Sequence, residues 1–216
     1  MNDCDYPLVL DVSGWQPVGL VPWADFRIAG GIVKATEDAH EQASCRRHCA
    51  AVRAASKPLG LYHFFHPEGD VKAQFDAFDY VASHVGYPLA TDIVPAIDIE
   101  YFQGHGVTAA WNAPLRELVE MFVQAYGASP LLYLSMGTWI CLGRPEWVFA
   151  HKLWVTFYRA KGLEHPLNLP PKYNPGNRHW DLWQFYGGRL FGKVQESQPA
   201  VDHNAATSLP LIGMKT

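Results

Sequence analysis

A chain of 216 residues, 49% hydrophobic and 13% aromatic, can bury a sizeable core as one domain of the larger kind and is too apolar to be disordered. Its formal net charge of -4, with no Lys/Arg cluster longer than Arg46-Arg47, argues against a nucleic-acid partner. Nothing approaches the ~20-residue apolar run that a membrane span needs.

Taken in order, the chain opens with Met1-Asn2-Asp3-Cys4-Asp5-Tyr6-Pro7, which has no positive region, apolar core or small-residue cleavage site, so no signal peptide is expected. Residues 8–14 read as a first strand, with Leu8, Leu10 and Val12 on one face and Val9, Asp11 and Ser13 on the other. A second strand is expected at 32–36, running into Glu37-Asp38. Residues 41–56, rich in Ala and Arg, read as a helix closed by Lys57-Pro58. A third strand at 59–66 is broken by Pro67-Glu68-Gly69. From 70 to 85 the residues Val71, Phe75, Phe78 and Val81-Ala82 recur at helical spacing, with Asp70 placed as N-cap. The run at 93–101 is short, β-branched and bounded by glycine-containing turns, which favours a fourth strand. Leu115, Leu118, Val119, Phe122 and Tyr126 then mark an amphipathic helix with Pro114 near its start and Gly127 at its end. A fifth strand is expected at 130–135.

There the pattern changes. Residues 152–158 and 180–186 read as strands, but the stretch between them, at 166–177, is too rich in Pro, Asn and Gly for a helix. Gly192-Lys193-Val194 and Val201-Asp202-His203-Asn204 read as short late strands or turns. The four cysteines, Cys4, Cys45, Cys49 and Cys141, are too few for a disulfide framework and contain no Cys-x-x-Cys pair. They read as reduced small hydrophobes.

The fourth strand carries the chemistry. Alternation puts Val94, Ala96, Asp98 and Glu100 on one face and the wholly apolar Ile93, Pro95, Ile97 and Ile99 on the other. In a βα barrel the aliphatic face would lie under outer helices and the acids would open at the C-terminal mouth. Two carboxyls about 6.5–7 Å apart along a strand perturb each other's ionisation, so one can stay charged while the other keeps a proton. Glycosidic cleavage asks for that division, an acid for the leaving oxygen and an anion for the developing oxocarbenium ion. By itself, an Asp-x-Glu at a strand end is more often a solvated edge or an ion-pair partner.

Seven stretches together are more specific: Asp11-Val12-Ser13-Gly14-Trp15-Gln16, Val33-Lys34-Ala35-Thr36-Glu37, Gly60-Leu61-Tyr62-His63-Phe64, Pro95-Ala96-Ile97-Asp98-Ile99-Glu100, Leu131-Leu132-Tyr133, Trp180-Asp181-Leu182-Trp183-Gln184-Phe185 and Val201-Asp202-His203-Asn204. In this order they resemble the family 25 glycoside hydrolases, the Chalaropsis-type lysozymes of bacteria, fungi and phage. The resemblance implies an α/β fold, a single irregular TIM-like barrel of five βα units followed by three helix-poor strands, (β/α)5(β)3. It spans nearly the whole chain, so residues 1–216 are expected to form one catalytic domain with no separate wall-binding domain.

The resemblance further implies an N-acetylmuramidase that cleaves the β-1,4 bond between N-acetylmuramic acid and N-acetylglucosamine in peptidoglycan. Glu100 matches the general acid, Asp98 the residue that stabilises the charge forming on the sugar, and Asp11 and Asp202 the family's other two acidic positions. No cofactor and no metal are implied. The partner is a peptidoglycan glycan strand, without nucleic acid or membrane insertion, and a monomer is expected. A protein made in the cytoplasm and acting on the cell wall after release, as a phage lysin or a secretion-system cargo does, suits the absent signal peptide. Two departures bear on substrate fit: Trp154-Val155-Thr156-Phe157-Tyr158 stands where a Trp-Ile-Ala-x-Tyr strand is common, and Asp38 follows Thr36-Glu37 where Gly is common.

The barrel reading places Tyr62, Phe64, Tyr133, Trp183 and Gln184 near the mouth as substrate-binding candidates, because aromatic faces stack on sugar rings, though such residues are also ordinary core with a tethered polar tip. Glu37 could touch substrate or support Asp11 through hydrogen bonds, and the supporting role is preferred. His63 and His66, three apart on a strand, should face opposite ways and not share a metal. Asn204 could simply shape the turn that holds Asp202. Two rival functions stay open: a glycosidase on another glycan, such as chitin, and a non-catalytic glycan-binding module, against which the presence of all four acids argues.

Overall fold

In a computed structural model, which describes residues 6–100, 106–158, 174–188 and 201–212, the strands close into a barrel. Strand β1 (Leu8–Val12) is followed by β2 (Ile28–Glu37), the two-residue β3 (His40–Glu41), β4 (Leu59–Phe64), β5 (Ala96–Asp98), β6 (Leu131–Leu134), β7 (Lys152–Thr156), β8 (Leu182–Gly188) and β9 (Val201–Ala206). The hydrogen-bonded order is β1-β9-β8-β7-β6-β5-β4-β2, and pairing of β1 with β2 completes the ring, with β3 as a short return on β2. Six of the pairings, from β1–β2 round to β7–β8, are parallel. Within the ring β9 alone runs against its neighbours, antiparallel to both β8 and β1, and the short β3 is antiparallel to β2.

Helices α1 (Cys45–Ala54), α2 (Val71–His84), α3 (Asn112–Tyr126) and α4 (Met136–Cys141) follow β3, β4, β5 and β6, whereas the β1–β2 crossover holds only a 3-10 turn, Val18–Leu20. The five βα units are therefore unequal, and β7, β8 and β9 follow without an α-helix among the described residues. The α/β, TIM-like architecture agrees with the expectation.

Local chemistry explains the clear elements. Asp70 accepts a hydrogen bond at 2.9 Å from the Ala73 N–H and starts α2. Its apolar stripe, Val71, Phe78, Val81 and Ala82, packs against Leu115, Leu118, Val119 and Phe122 of α3, with the Phe78 and Phe122 ring centroids 4.7 Å apart. Gly127 ends α3 in the left-handed conformation, φ 62°, where a side chain would be strained.

Strand alternation divides the interior in two. Leu10, Val12, Val33, Leu61, Ile97, Ile99, Leu132 and Val155 face the helices, while Val9, Ile32, Val94, Ala96, Leu131 and Leu182 fill the barrel.

Several boundaries differ from the sequence reading. The first helix begins at Cys45, not at 41, because Asp38 turns the chain at φ 49° and His40–Glu41 pair back onto β2. That left-handed φ is the physical reason a glycine suits the position of Asp38. Glu41 is held instead by Arg46, at 2.7 Å. The acidic strand is reduced to Ala96–Asp98, and Ile93 bridges to Leu211 and joins the inner core, not the layer under the helices. Residues 201–204, read as a short strand or a turn, belong to a six-residue strand, Val201–Ala206. Cys45 and Cys49 are buried free thiols with sulfurs 3.7 Å apart, whereas Cys141 is an exposed free thiol. Cys4, Tyr101, residues 166–173 and the expected strand at 192–194 lie outside the described residues.

Candidate active site

The parallel strands all deliver their C-terminal ends to one mouth, and inward positions there gather the polar residues. Asp11 is the penultimate residue of β1, Asp98 ends β5, and Glu100 follows two residues later. Because β9 is antiparallel, it presents its beginning at this mouth, which sets Asp202 directly opposite Asp11 in the ladder. The four carboxyls line one cavity of about 140 Å³, whose remaining walls are Tyr62, Tyr133, Trp154, Tyr158 and Gln184.

Asp11 is buried and heavily bonded. Its Oδ2 accepts from Asn204 Nδ2 at 2.7 Å and from Gln184 Nε2 at 3.1 Å. Both amides are oriented by donors behind them. Trp154 Nε1, which can only donate, gives its hydrogen to Asn204 Oδ1 at 2.7 Å, so the Asn204 amino group must turn to Asp11. Gln184 Oε1 accepts from the hydroxyls of Tyr133 (2.7 Å), Tyr158 (2.7 Å) and Thr156 (3.1 Å), which likewise leaves its amino group facing Asp11.

Asp98 is the opposite case. It is 7% exposed, and its Oδ1 is buried with no hydrogen-bond partner among the described residues.

Four acids in one enclosed space cannot all ionise cheaply. Burial, reinforced by the charges of Asp202 and Glu100 and opposed by the two amide bonds, pushes Asp11 up to about 8. Asp202 is pushed up to about 6 by burial, against a weak opposing bond from Tyr158, whose hydroxyl lies 3.5 Å away. Burial and then the charge of Glu100 hold Asp98 well above the usual carboxylate range, while Lys34 pulls it down. Glu100, partly buried, is raised by desolvation and by Asp202, again against Lys34. At neutral pH the cleft therefore retains protons on some of its carboxyls. Burial, then the neighbouring acids, keeps the phenols of Tyr62 and Tyr133 neutral.

Of the residues singled out from sequence, Asp11, Asp98, Glu100, Asp202, Tyr62, Tyr133 and Gln184 come together at the cavity. Trp183 does not. It is fully buried on the outer face of β8, with its indole N–H donated to the Phe157 carbonyl at 3.2 Å, because consecutive strand residues cannot both face inward and Gln184 holds the inner position. Phe64 is buried beside the cavity under the Lys34 ammonium, 4.5 Å from its ring centroid. Glu37 is not a partner of Asp11: its carboxylate bonds Lys34 Nζ at 2.6 Å and His66 Nε2 at 3.3 Å. Asn204 does more than shape a turn, since it anchors Asp11.

Sequence reasoning did not single out Trp154, Thr156 and Tyr158 for the site. Their spacing of two along β7 and its extension was the available signal. His63 turns to the outer layer, bonded to Thr36 at 2.8 Å and Gln74 at 3.0 Å. Among the described residues no cluster of three or more His, Cys, Asp or Glu is arranged to hold a metal, and no helix is long and apolar enough to cross a membrane.

Comparison with known proteins adds an independent line. Residues 10–191 match the sequence profile of the family described as glycosyl hydrolases family 25. No curated protein sequence matches significantly. Among solved structures, the chain is similar to a family 25 glycosyl hydrolase from Bacillus anthracis, with a TM-score of 0.76 at 18% identity over 96% of this chain and 91% of that one. It is also similar to a bacterial lysozyme from Streptomyces coelicolor, with a TM-score of 0.75 at 20% identity over 95% and 94% of the two chains. The catalytic domain of an endolysin from a Listeria monocytogenes bacteriophage matches with a TM-score of 0.70 at 21% identity over 97% and 98%.

Proposed function

The chain belongs to glycosyl hydrolase family 25 and is a glycoside hydrolase, and from this we propose that it is an N-acetylmuramidase that cleaves the β-1,4 bond after N-acetylmuramic acid in peptidoglycan. The observation that carries the reading is the convergence of four ionisation-shifted carboxyls on one cavity at the barrel mouth. The lysozyme and endolysin among its structural neighbours support the choice of peptidoglycan.

Glu100 is the general acid. Burial, opposed by Lys34 and helped by Asp202, raises its pKa, which favours a proton held for the glycosidic oxygen as the bond to the leaving sugar lengthens. Asp98 stabilises the positive charge that grows on the sugar ring. Its Oδ1, which has no hydrogen-bond partner among the described residues, suits the N–H of a 2-acetamido group whose carbonyl attacks the anomeric carbon. Asp11 and Asp202 orient and tune. Tyr62 and Tyr133 offer ring surface for the sugar.

Digestion of purified peptidoglycan, followed by borohydride reduction and mass spectrometry, tests the reading. Reduced muramic acid at the new ends, absent with Glu100→Gln, is the expected result. Reduced glucosamine ends would instead make the protein a glucosaminidase, and anhydro-muramic ends a lytic transglycosylase. No product from folded protein on several wall types would reject peptidoglycan as the substrate.

A further inference from the structure

The ladder between β2 and β4 contains an irregularity beside the cleft. Lys34 pairs with Tyr62, but Thr36, not Ala35, pairs with His63, and Glu37 then pairs with Phe64. One extra residue is thus inserted in β2. In a regular strand Lys34 and Glu37, three apart, would point to opposite faces. The bulge brings Glu37 back to the face of Lys34, where the two form an ion pair at 2.6 Å. The Lys34 side chain is 11% exposed. It shares the inward face with Ile32 of the inner core, and its ammonium rests on the Phe64 ring, 4.5 Å from the centroid. Phe64 in turn pairs across the ladder with Asp98. A cation is therefore fixed at two points, the Glu37 carboxylate and the Phe64 ring, and the bulge in β2 is what brings the first of them to it.

Resting on the reading of Asp98 and Glu100 given above, we propose that Lys34, held by Glu37 and seated on Phe64, is a positioning residue whose charge keeps one carboxylate of the Asp98/Glu100 pair ionised while the other retains its proton. The groups facing this pair are Lys34 and Glu37 from β2, Asp11 from β1, Asp202 from β9, Tyr62 from β4, Tyr133 from β6, and Tyr158 beyond β7. The acids among them all work against a further negative charge, and the phenols stay neutral. Lys34 is the opposing charge for both members of the pair, and Glu37, which holds it, acts on Asp98 with the opposite sign. His66, bonded to the far oxygen of Glu37, limits how far that carboxylate can swing.

Opposite signs make the test decisive. Lys34→Met removes the positive charge and should move the titration of Asp98 upward by about one pH unit. Glu37→Gln removes the negative charge and should move it downward. Both are read directly by carboxyl-carbon NMR titration of protein labelled at Asp and Glu, and again as displacement of the acidic limb of kcat/KM on peptidoglycan. Lys34→Arg should return the limb close to its wild-type position. A merely structural role for Lys34 would lower activity without moving the limb, and that result, or movement of both variants in the same direction, overturns the proposal. Should Lys34→Met not fold, Glu37→Gln and Lys34→Arg still decide it through the downward shift and the retained limb. NMR shifts as expected in a wild-type protein that does not cleave peptidoglycan would reject the substrate and leave the role of Lys34 standing. Cleavage with unmoved carboxyl titrations would do the reverse.

Discussion

The two sides of the cleft are built on contrary principles. On the β1/β9 side, Asp11 is gripped by two amides, each fixed from behind by a donor that leaves it a single orientation. On the β5 side, Asp98 is buried with an oxygen that no described residue satisfies. A buried unsatisfied carboxyl oxygen is costly, on the order of 1–3 kcal/mol or more. Substrate can reward that deficit, whereas the Asp11 carboxyl, whose Oδ2 already accepts from two amides, has less left to offer. The contrast teaches that reaction belongs to the poorly satisfied side and orientation to the well-satisfied one.

The largest test of that division is Glu100→Gln. It removes the transferable proton and keeps the shape, so turnover should fall by about 10²–10⁴-fold with the thermal midpoint at or above that of wild type, because a charge-repelled carboxyl has become a neutral amide. A variant that cleaves peptidoglycan at near wild-type rate would end the assignment. Gln184→Leu attacks the other side. It strips Asp11 of a donor and leaves the hydroxyls of Tyr133, Tyr158 and Thr156 without their acceptor. Urea unfolding should show a loss on the order of 2–3 kcal/mol, with activity reduced less than in Glu100→Gln. Activity abolished at unchanged stability would show that the two sides are not divided as described.

Asp11→Asn sharpens the comparison through pH. The folded protein holds Asp11 at about 8, against an ordinary 3.8. Its stabilising contribution is therefore complete below the lower value and is lost as pH rises through the upper one. The asparagine variant should lack this decline, so its stability relative to wild type should improve between about pH 4 and about pH 9 in urea midpoints. A constant difference across that range would mean that Asp11 does not carry its proton into the folded state. The smallest effect is expected from Thr156→Ala. An amide oxygen has two lone pairs, and Thr156 makes the longest of three bonds to Gln184, at 3.1 Å. Stability should change by less than about 1 kcal/mol, and kcat/KM by about twofold at most.

Much of the site was legible because strand alternation is a local rule. Once residues 8–14 and 93–101 read as strands, alternation set Asp11 opposite Leu10 and Val12 and put Asp98 and Glu100 on one face, while Tyr62 and Tyr133 were placed at the mouth by the barrel reading. Parity also held the correction of Trp183, since Gln184 beside it cannot share its face. The misplacement of Glu37 had a different origin. Counting along a regular strand sends it away from Lys34, and only the bulge in the β2–β4 ladder, a property of the pairing and not of either strand alone, brings them together.

By itself, the sequence determined the βα order, the alternation that puts Asp11 and Asp98 opposite their aliphatic neighbours, the Asp70 cap and the Gly127 stop. All of these are set within a few residues by sterics and hydrogen bonding. The tertiary structure alone decided who supports whom. Asn204 reaches Asp11 across 193 positions and Trp154 across 50, which is possible because β9 enters antiparallel between β8 and β1 and closes the ring. The partner of a buried carboxyl is chosen by whichever strand ends beside it, and that depends on closure, which no local pattern encodes.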